Sequence, residues 1–225
     1  MTDADAAGGS VRAVIFDLDG VIVESEQVWE RVRSRFVESH GGVWRGESQR
    51  HMMGISTRDW ARYLKLDLGV QLELDEIPTR VISAMQVEYE RHLPLVAGAV
   101  PAVRGLAREW SLAVASGSPR VLIETVLRTA EIIDDFKVLV SSDEVNAGKP
   151  APDVYLEAAR RLGVPIGSCV VVEDSSNGIL SGHAAGAKII AIPNAAFPPD
   201  AGTLRLANKS LRAIHQLTPS VIRAL

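Results

Sequence analysis

The strongest constraint on the fold is a rhythm of short, nearly all-apolar runs separated by helical stretches. The runs cover residues 11–16, 112–115, 138–140, 169–172 and 188–192 and are rich in Val and Ile. A strand with one wet face alternates apolar and polar side chains, whereas a strand covered on both faces does not. Between the runs, residues 100–109, 120–129, 152–162 and 176–184 have helical character, with Gly105 weakening the first. Strand–helix alternation of this kind predicts right-handed crossovers and an α/β fold built on a doubly wound parallel sheet.

One segment breaks the rhythm. Residues 24–96 hold no buried strand pattern; helical spacing instead runs over residues 24–39, 57–68 and 75–92. At roughly 150 residues per domain, 225 residues accommodate one large domain carrying an insertion. The expected division is an α/β core from residues 1–23 and 97–225, with residues 24–96 as an inserted all-helical cap.

Composition removes several function classes. There are 24 Lys and Arg against 28 Asp and Glu, a net charge of −4, which argues against a protein devoted to neutralising nucleic-acid phosphates. The single Cys169 excludes an internal disulfide framework and a cysteine zinc cluster. No apolar run reaches the roughly 18–20 residues of a membrane span. Residues 1–10 are small and acidic, lack the pattern of a secretory signal, and read as a frayed tail. A cytoplasmic protein, monomeric or weakly dimeric, with no membrane or nucleic-acid partner is expected.

Ligands of open α/β sheets bind beyond the carboxyl ends of the strands. The first apolar run is followed by Asp17-Leu18-Asp19-Gly20, and the second by Ser116-Gly117-Ser118. Gly148-Lys149-Pro150 comes after the third, and Glu173-Asp174-Ser175 after the fourth. Each piece alone is a plausible turn or helix cap. Together they gather acids, hydroxyls and one lysine at a common edge. The carboxylates Asp17, Asp19, Glu173 and Asp174 call for a cation, and oxygen donors without a usable Cys/His set favour Mg²⁺. Lys149 adds positive charge, while Ser116 and backbone N–H groups near Gly117 can donate to phosphoryl oxygens. Two acids near one phosphorus can serve as nucleophile and as general acid/base.

At these four motifs, continued by Pro152-Asp153-Val154-Tyr155 and Gly178, the sequence resembles the haloacid dehalogenase superfamily, in the branch with a helical cap after the first motif. The resemblance implies a Rossmann-like core and an Mg²⁺-dependent phosphatase acting on a small phosphorylated metabolite through an aspartyl-phosphate. It implies that Asp17 is the nucleophile, that Asp19 protonates the leaving group and then activates water, and that Ser116 and Lys149 hold the phosphoryl group. Gly117 and Ser118 belong to the same phosphate site. Asp17, the backbone carbonyl of Asp19, and Asp174 would bind Mg²⁺, with Glu173 as a ligand or a neighbour of one.

Asp19 speaks against dehalogenation, because true dehalogenases of this superfamily carry no acid there. A sugar phosphomutase of the β-phosphoglucomutase type is the closer alternative. Its cap histidine is absent, and Trp29 stands about where it would be. Arg58 lies one position from its cap arginine and is the cap residue expected to contact substrate. Trp29, Trp44 and Trp60 read as packing among cap helices, and Met52-Met53 as core. A phospho-accepting receiver module would place its acceptor after a later strand and would lack the insertion.

Overall fold

The computed structural model describes residues 10–52, 55–194 and 198–225. The expectations for the N-terminal tail up to residue 9 and for Met53 lie outside these residues. Six strands form one parallel sheet: β1 (Ala13–Phe16), β2 (Ser111–Ser116), β3 (Phe136–Ser141), β4 (Cys169–Glu173), β5 (Lys188–Ala191) and β6 (Lys209–Ser210). Their order is β3-β2-β1-β4-β5-β6. In β1, Ala13 pairs with Ser111 on one side and with Cys169 on the other, and the register continues to Phe16 opposite Val114 and Val172. The sheet therefore has the expected doubly wound α/β order. The edge strand β6 was not expected, because two exposed residues leave no periodic signal.

Every residue of β1 is buried, which explains its unbroken apolar run. Val14 and Phe16 point into one core and Ala13 and Ile15 into the other. The first core takes Val103 and Leu106 of α5 (Ala99–Ala107) and Leu122 and Val126 of α6 (Arg120–Thr129). The second takes Val154, Tyr155 and Ala158 of α7 (Asp153–Leu162). Helix α5 runs through Gly105, where an added Cβ would meet nothing within 4 Å. Helix α8 (Ser176–Ala185) starts at Ser175, whose hydroxyl accepts from the Gly178 N–H at 3.1 Å. Short helices α9 (Ala201–Leu204) and α10 (Pro219–Arg223) complete the C-terminal part.

Among the described residues between β1 and α5 lie four helices and no strand of the sheet: α1 (Glu26–Ser39), α2 (Ser48–Met52), α3 (Thr57–Leu66) and α4 (Glu76–Arg91). Helix α1 begins at Glu26 rather than at residue 24, because the chain first makes a turn in which Leu18 O accepts from the Ile22 and Val23 N–H groups at 2.8 and 3.1 Å. The segment leaves and rejoins the rest of the chain at one place. Glu24 N donates to Pro94 O at 2.8 Å, Val96 N donates to Ile22 O at 3.0 Å, and Val23 bridges Leu95 antiparallel. Among the described residues no helix is long and apolar enough to cross a membrane.

Candidate active site

The strand order reverses between β1 and β4, so their carboxyl ends lie side by side at the switch point where ligands of such sheets bind. Asp17 follows β1 directly, and its N–H still donates to Val172 O at 2.9 Å, which ties it to β4. Asp174 follows β4. Lys149 reaches in from the loop after β3 and donates to Asp17 Oδ1 at 2.8 Å and to Glu173 Oε1 at 2.7 Å. The Lys149 side chain is 7% exposed, so these are buried charge pairs that water screens little.

Glu173 is the anchor of the group. Tyr155 donates its hydroxyl to Oε1 at 2.7 Å, and Oε2 accepts from the Asp174 N–H, the Ser175 N–H and the Ser175 hydroxyl at 2.9, 3.1 and 3.0 Å. Burial works against its charge, but Lys149 and this set of donors hold its carboxyl below the usual range. Burial alone would lower the Lys149 ammonium, yet Asp17 and Glu173 outweigh it and raise it above the ordinary lysine value. Asp17 behaves oppositely: burial pushes its carboxyl up to about 8, with Glu173 and Asp19 adding to the rise against Lys149. Burial, then Glu173 and Asp17, also raise Asp174 well above the carboxylate range.

Two glycines make this crowding possible. A Cβ on Gly20, whose φ is +76°, would stand 1.9 Å from Asp174 Oδ2, and one on Gly178 would stand 1.6 Å from Glu173 Oε1. The first motif and the start of α8 can therefore close on the carboxylates only where side chains are missing. Oxygens of Asp17, Glu173 and Asp174 lie within 4.8 Å of one another. Three acids against one lysine leave negative charge in excess once all are ionised, which adds to burial in raising Asp17 and Asp174, and the donors are all hard oxygens. The set fits a divalent cation.

Asp19 turns to the other side. Its Oδ2 accepts from the hydroxyls of Ser118 and Ser116 at 2.7 and 3.1 Å, and Ser116 Oγ in turn accepts from the Ser118 N–H at 3.0 Å. Among the described residues, Asp19 Oδ1 is buried without a partner. The Asp19 carboxylate is not among the converging three.

A cavity of about 530 Å³ opens over these groups, lined by Asp17, Asp19, Gly117, Ser118, Lys149 and Asp174 on the sheet side. The helical segment closes its other wall with Glu26, Trp29, Arg33, Gln49 and Trp60. Trp29 and Trp60 are buried against the helices, as expected, and also face the cavity; so does Met52.

The structure places Arg58 outside this cavity. It is exposed on α3 and lines a separate groove with Leu74 and Asp143, away from Asp17. Helix α3 buries Trp60, Ala61 and Leu64, and a residue two positions before Trp60 points away from that face. The arginine that reaches the cavity from a buried position is Arg33, 4% exposed, which sequence reasoning missed together with Glu26, Gln49 and Tyr155. A signal was present: Arg33 interrupts the apolar stripe of α1 one turn after Trp29.

A family model described as a haloacid dehalogenase-like hydrolase matches residues 11–186. Hexitol phosphatase B of Escherichia coli O157:H7 is 32% identical over 221 residues, covering 92% of this chain and 95% of that protein. The bifunctional riboflavin kinase/FMN phosphatase of Arabidopsis thaliana is 33% identical over 185 residues, covering 80% of this chain but 48% of that protein. Among solved structures, CbbY from Rhodobacter sphaeroides in complex with phosphate superposes with a TM-score of 0.83 at 25% identity, over 96% of this chain and 100% of that one. With the four motifs gathered at one switch point and the family model spanning most of the sequence, the chain belongs to the haloacid dehalogenase-like hydrolases.

Proposed function

We propose that this protein is a Mg²⁺-dependent phosphatase of a small phosphorylated metabolite, with Asp17 as the nucleophile. The observation that carries the reading is the buried pair of Asp17 and Lys149 at 2.8 Å, beside Asp174 and with Asp19 two residues on. Names of relatives such as hexitol phosphatase B support phosphate ester hydrolysis. Residues 24–96 act as a cap over a core of residues 1–23 and 97–225 and exclude water from the cavity.

The residues divide the work as follows. Lys149 holds the Asp17 carboxylate and meets the incoming phosphoryl oxygens, together with Ser116, Ser118 and the Gly117 backbone. The Asp17 carboxylate attacks phosphorus, the bond to the ester oxygen breaks, and Asp19 gives that oxygen a proton. Water then attacks the aspartyl-phosphate, Asp19 takes its proton, and phosphate leaves. The two serine hydroxyls on Asp19 Oδ2 leave the unpartnered Oδ1 for this proton transfer. Asp17, Asp174 and the Asp19 backbone carbonyl would hold Mg²⁺, with Glu173 fixing Lys149 beside them. When bound, the cation neutralises the excess carboxylate charge and draws electron density from the phosphoryl group.

The mutase alternative fits a solved neighbour whose name includes beta-phosphoglucomutase, but the lining of the cavity favours the phosphatase. Among the described residues lining the cavity there is no histidine, and Lys149 is the one lysine. The test is Mg²⁺-dependent phosphate release from an aryl phosphate, with Asp17→Asn reducing turnover to background. Wild-type turnover in Asp17→Asn overturns the nucleophile assignment. Isomerisation of hexose phosphates without free phosphate overturns the hydrolase reading.

A further inference from the structure

The wall of the cavity built by the inserted helices contains a buried cation that the chemistry at Asp17 does not use. The Arg33 guanidinium lies 4.1 Å from the Trp29 ring centroid and 5.1 Å from that of Trp60. The two rings are themselves 6.2 Å apart and tilted by 57°. Arg33 makes no ion pair among the described residues; its NH1 donates to Gln49 Oε1 at 3.4 Å, and its Nε–H is buried without a partner. Gln49 in turn donates from Nε2 to Glu26 Oε2 at 2.7 Å. Burial lowers the Arg33 pKa to about 10, which leaves it charged at neutral pH. Burial raises that of Glu26.

A buried donor left unpaired is costly, and a buried arginine held rigid by aromatic faces is suited to recognition rather than to packing. The charge pattern selects the ligand. Arg33 and Glu26 have opposite signs and are linked through one amide, so the set is neutral and presents both a donor and an acceptor to the cavity. An anionic group would gain from Arg33 but meet Glu26 and Asp19 in the same space. A hydroxyl accepts from one member and donates to another without that conflict.

We propose that Arg33, Gln49 and Glu26 form a subsite for hydroxyl groups of the leaving group, selecting phosphate esters of neutral, polyhydroxylated alcohols. The inference rests on the phosphatase reading above, which supplies the ester. Trp29 and Trp60 fix the guanidinium plane. Arg33 and Glu26 are specificity residues, and Gln49 sets their spacing.

The experiment compares kcat/KM for three esters: a six-carbon sugar-alcohol phosphate, n-hexyl phosphate, and the matching sugar-acid phosphate with a terminal carboxylate. The wild type is expected to favour the sugar-alcohol ester over both others by about tenfold or more, the scale of hydrogen bonds to charged groups. Arg33→Met and Gln49→Leu should each cut the alcohol-to-alkyl ratio by about tenfold. Glu26→Gln should raise the sugar-acid ester relative to the alcohol. Because ratios are read, a general loss of activity cancels, and Gln49→Leu carries the reading if Arg33→Met does not fold. A wild type that treats the alkyl and sugar-alcohol esters alike, or prefers the acid ester, overturns the subsite. So do variants that keep the wild-type ratios. Failure of the wild type on all three esters and on an aryl phosphate instead overturns the phosphatase reading.

Discussion

Tyr155 donates its hydroxyl to Glu173 Oε1 at 2.7 Å, and its ring lies 4.8 Å from the Lys149 ammonium that binds the same oxygen. One fully buried side chain from α7 therefore steadies both members of the Lys149–Glu173 pair. Tyr155→Phe keeps the ring and removes one hydrogen bond, while Lys149 continues to satisfy the oxygen. Stability should fall by about 1 kcal/mol, and kcat should fall more than KM rises. Denaturant unfolding and steady-state kinetics check this. Unchanged kcat with lowered stability would reduce Tyr155 to a packing residue.

Gly178 and Gly105 should respond in opposite directions to the same change. In Gly178→Ala the new methyl would stand 1.6 Å from Glu173 Oε1, and the carboxylate can give way only by breaking its bonds to Lys149, Tyr155 and Ser175. A stability loss of about 1–3 kcal/mol and a large drop in turnover are expected. Gly105→Ala lies in a helix with open space around it and should stabilise by about 0.5–1 kcal/mol. Thermal melts of the two variants measured together decide the matter.

The metal-free protein should become less stable as pH rises from the ordinary carboxylate range toward 8. Asp17 is raised from 3.8 to about 8, so across that window the native state keeps a proton that the unfolded chain has released. Asp174, raised as well, acts in the same direction. Glu173, lowered, works the other way and loses its contribution only as pH falls below the carboxylate range. A divalent cation must displace the native-state protons, so its rise in Tm should be larger at about pH 8 than at about pH 5.5. Equal rises at the two pH values would remove Asp17 and Asp174 from the cation site.

Lys149→Met leaves Asp17 and Glu173 buried without their shared counter-charge. Breaking a buried pair from one side costs about 3–5 kcal/mol, and the loss should shrink at acid pH, where the carboxyls take up protons. Urea titrations at neutral and acid pH measure the difference. A variant as stable as the wild type at both would mean that the pair contributes nothing to the fold.

Much of the core was legible because its chemistry sits where the apolar runs stop. Asp17 and Asp174 directly follow strands buried along their whole length and Ser116 ends one that is nearly so, while Lys149 comes from the loop beyond β3; the shortness of the apolar runs and their alternation with helical stretches made them readable as strands. The helical segment was harder. Its helices could be placed, but not which face of each looks at Asp17. Arg58 and Trp60 are two positions apart on α3, and Arg58 lies on a groove separate from the cavity that Trp60 lines. Arg33 was overlooked because a charge within an amphipathic helix reads as solvated unless its neighbours are known to be rings. Glu173 looked like a cation ligand from its position beside Asp174. Only three dimensions show that its oxygens also accept from Lys149, Tyr155 and Ser175, while one of them still lies within 4.8 Å of oxygens of Asp17 and Asp174.

The antiparallel bridge between Val23 and Leu95 brings the two chain crossings of the segment 24–96 next to each other. With both crossings at one place, a change inside the segment need not displace β1 or the aspartate that follows it, provided that the contact of α4 with α6 and the bonds of Gln86 to Thr125 and of Thr57 to Asp143 are kept. Under the proposed function, selectivity and reaction chemistry would be separately heritable: drift in α1 to α3 would retune which alcohol is accepted while Asp17, Lys149 and Asp174 stay as they are. For engineering, the same two crossings mark the graft points at which a foreign helical module can be spliced onto this core.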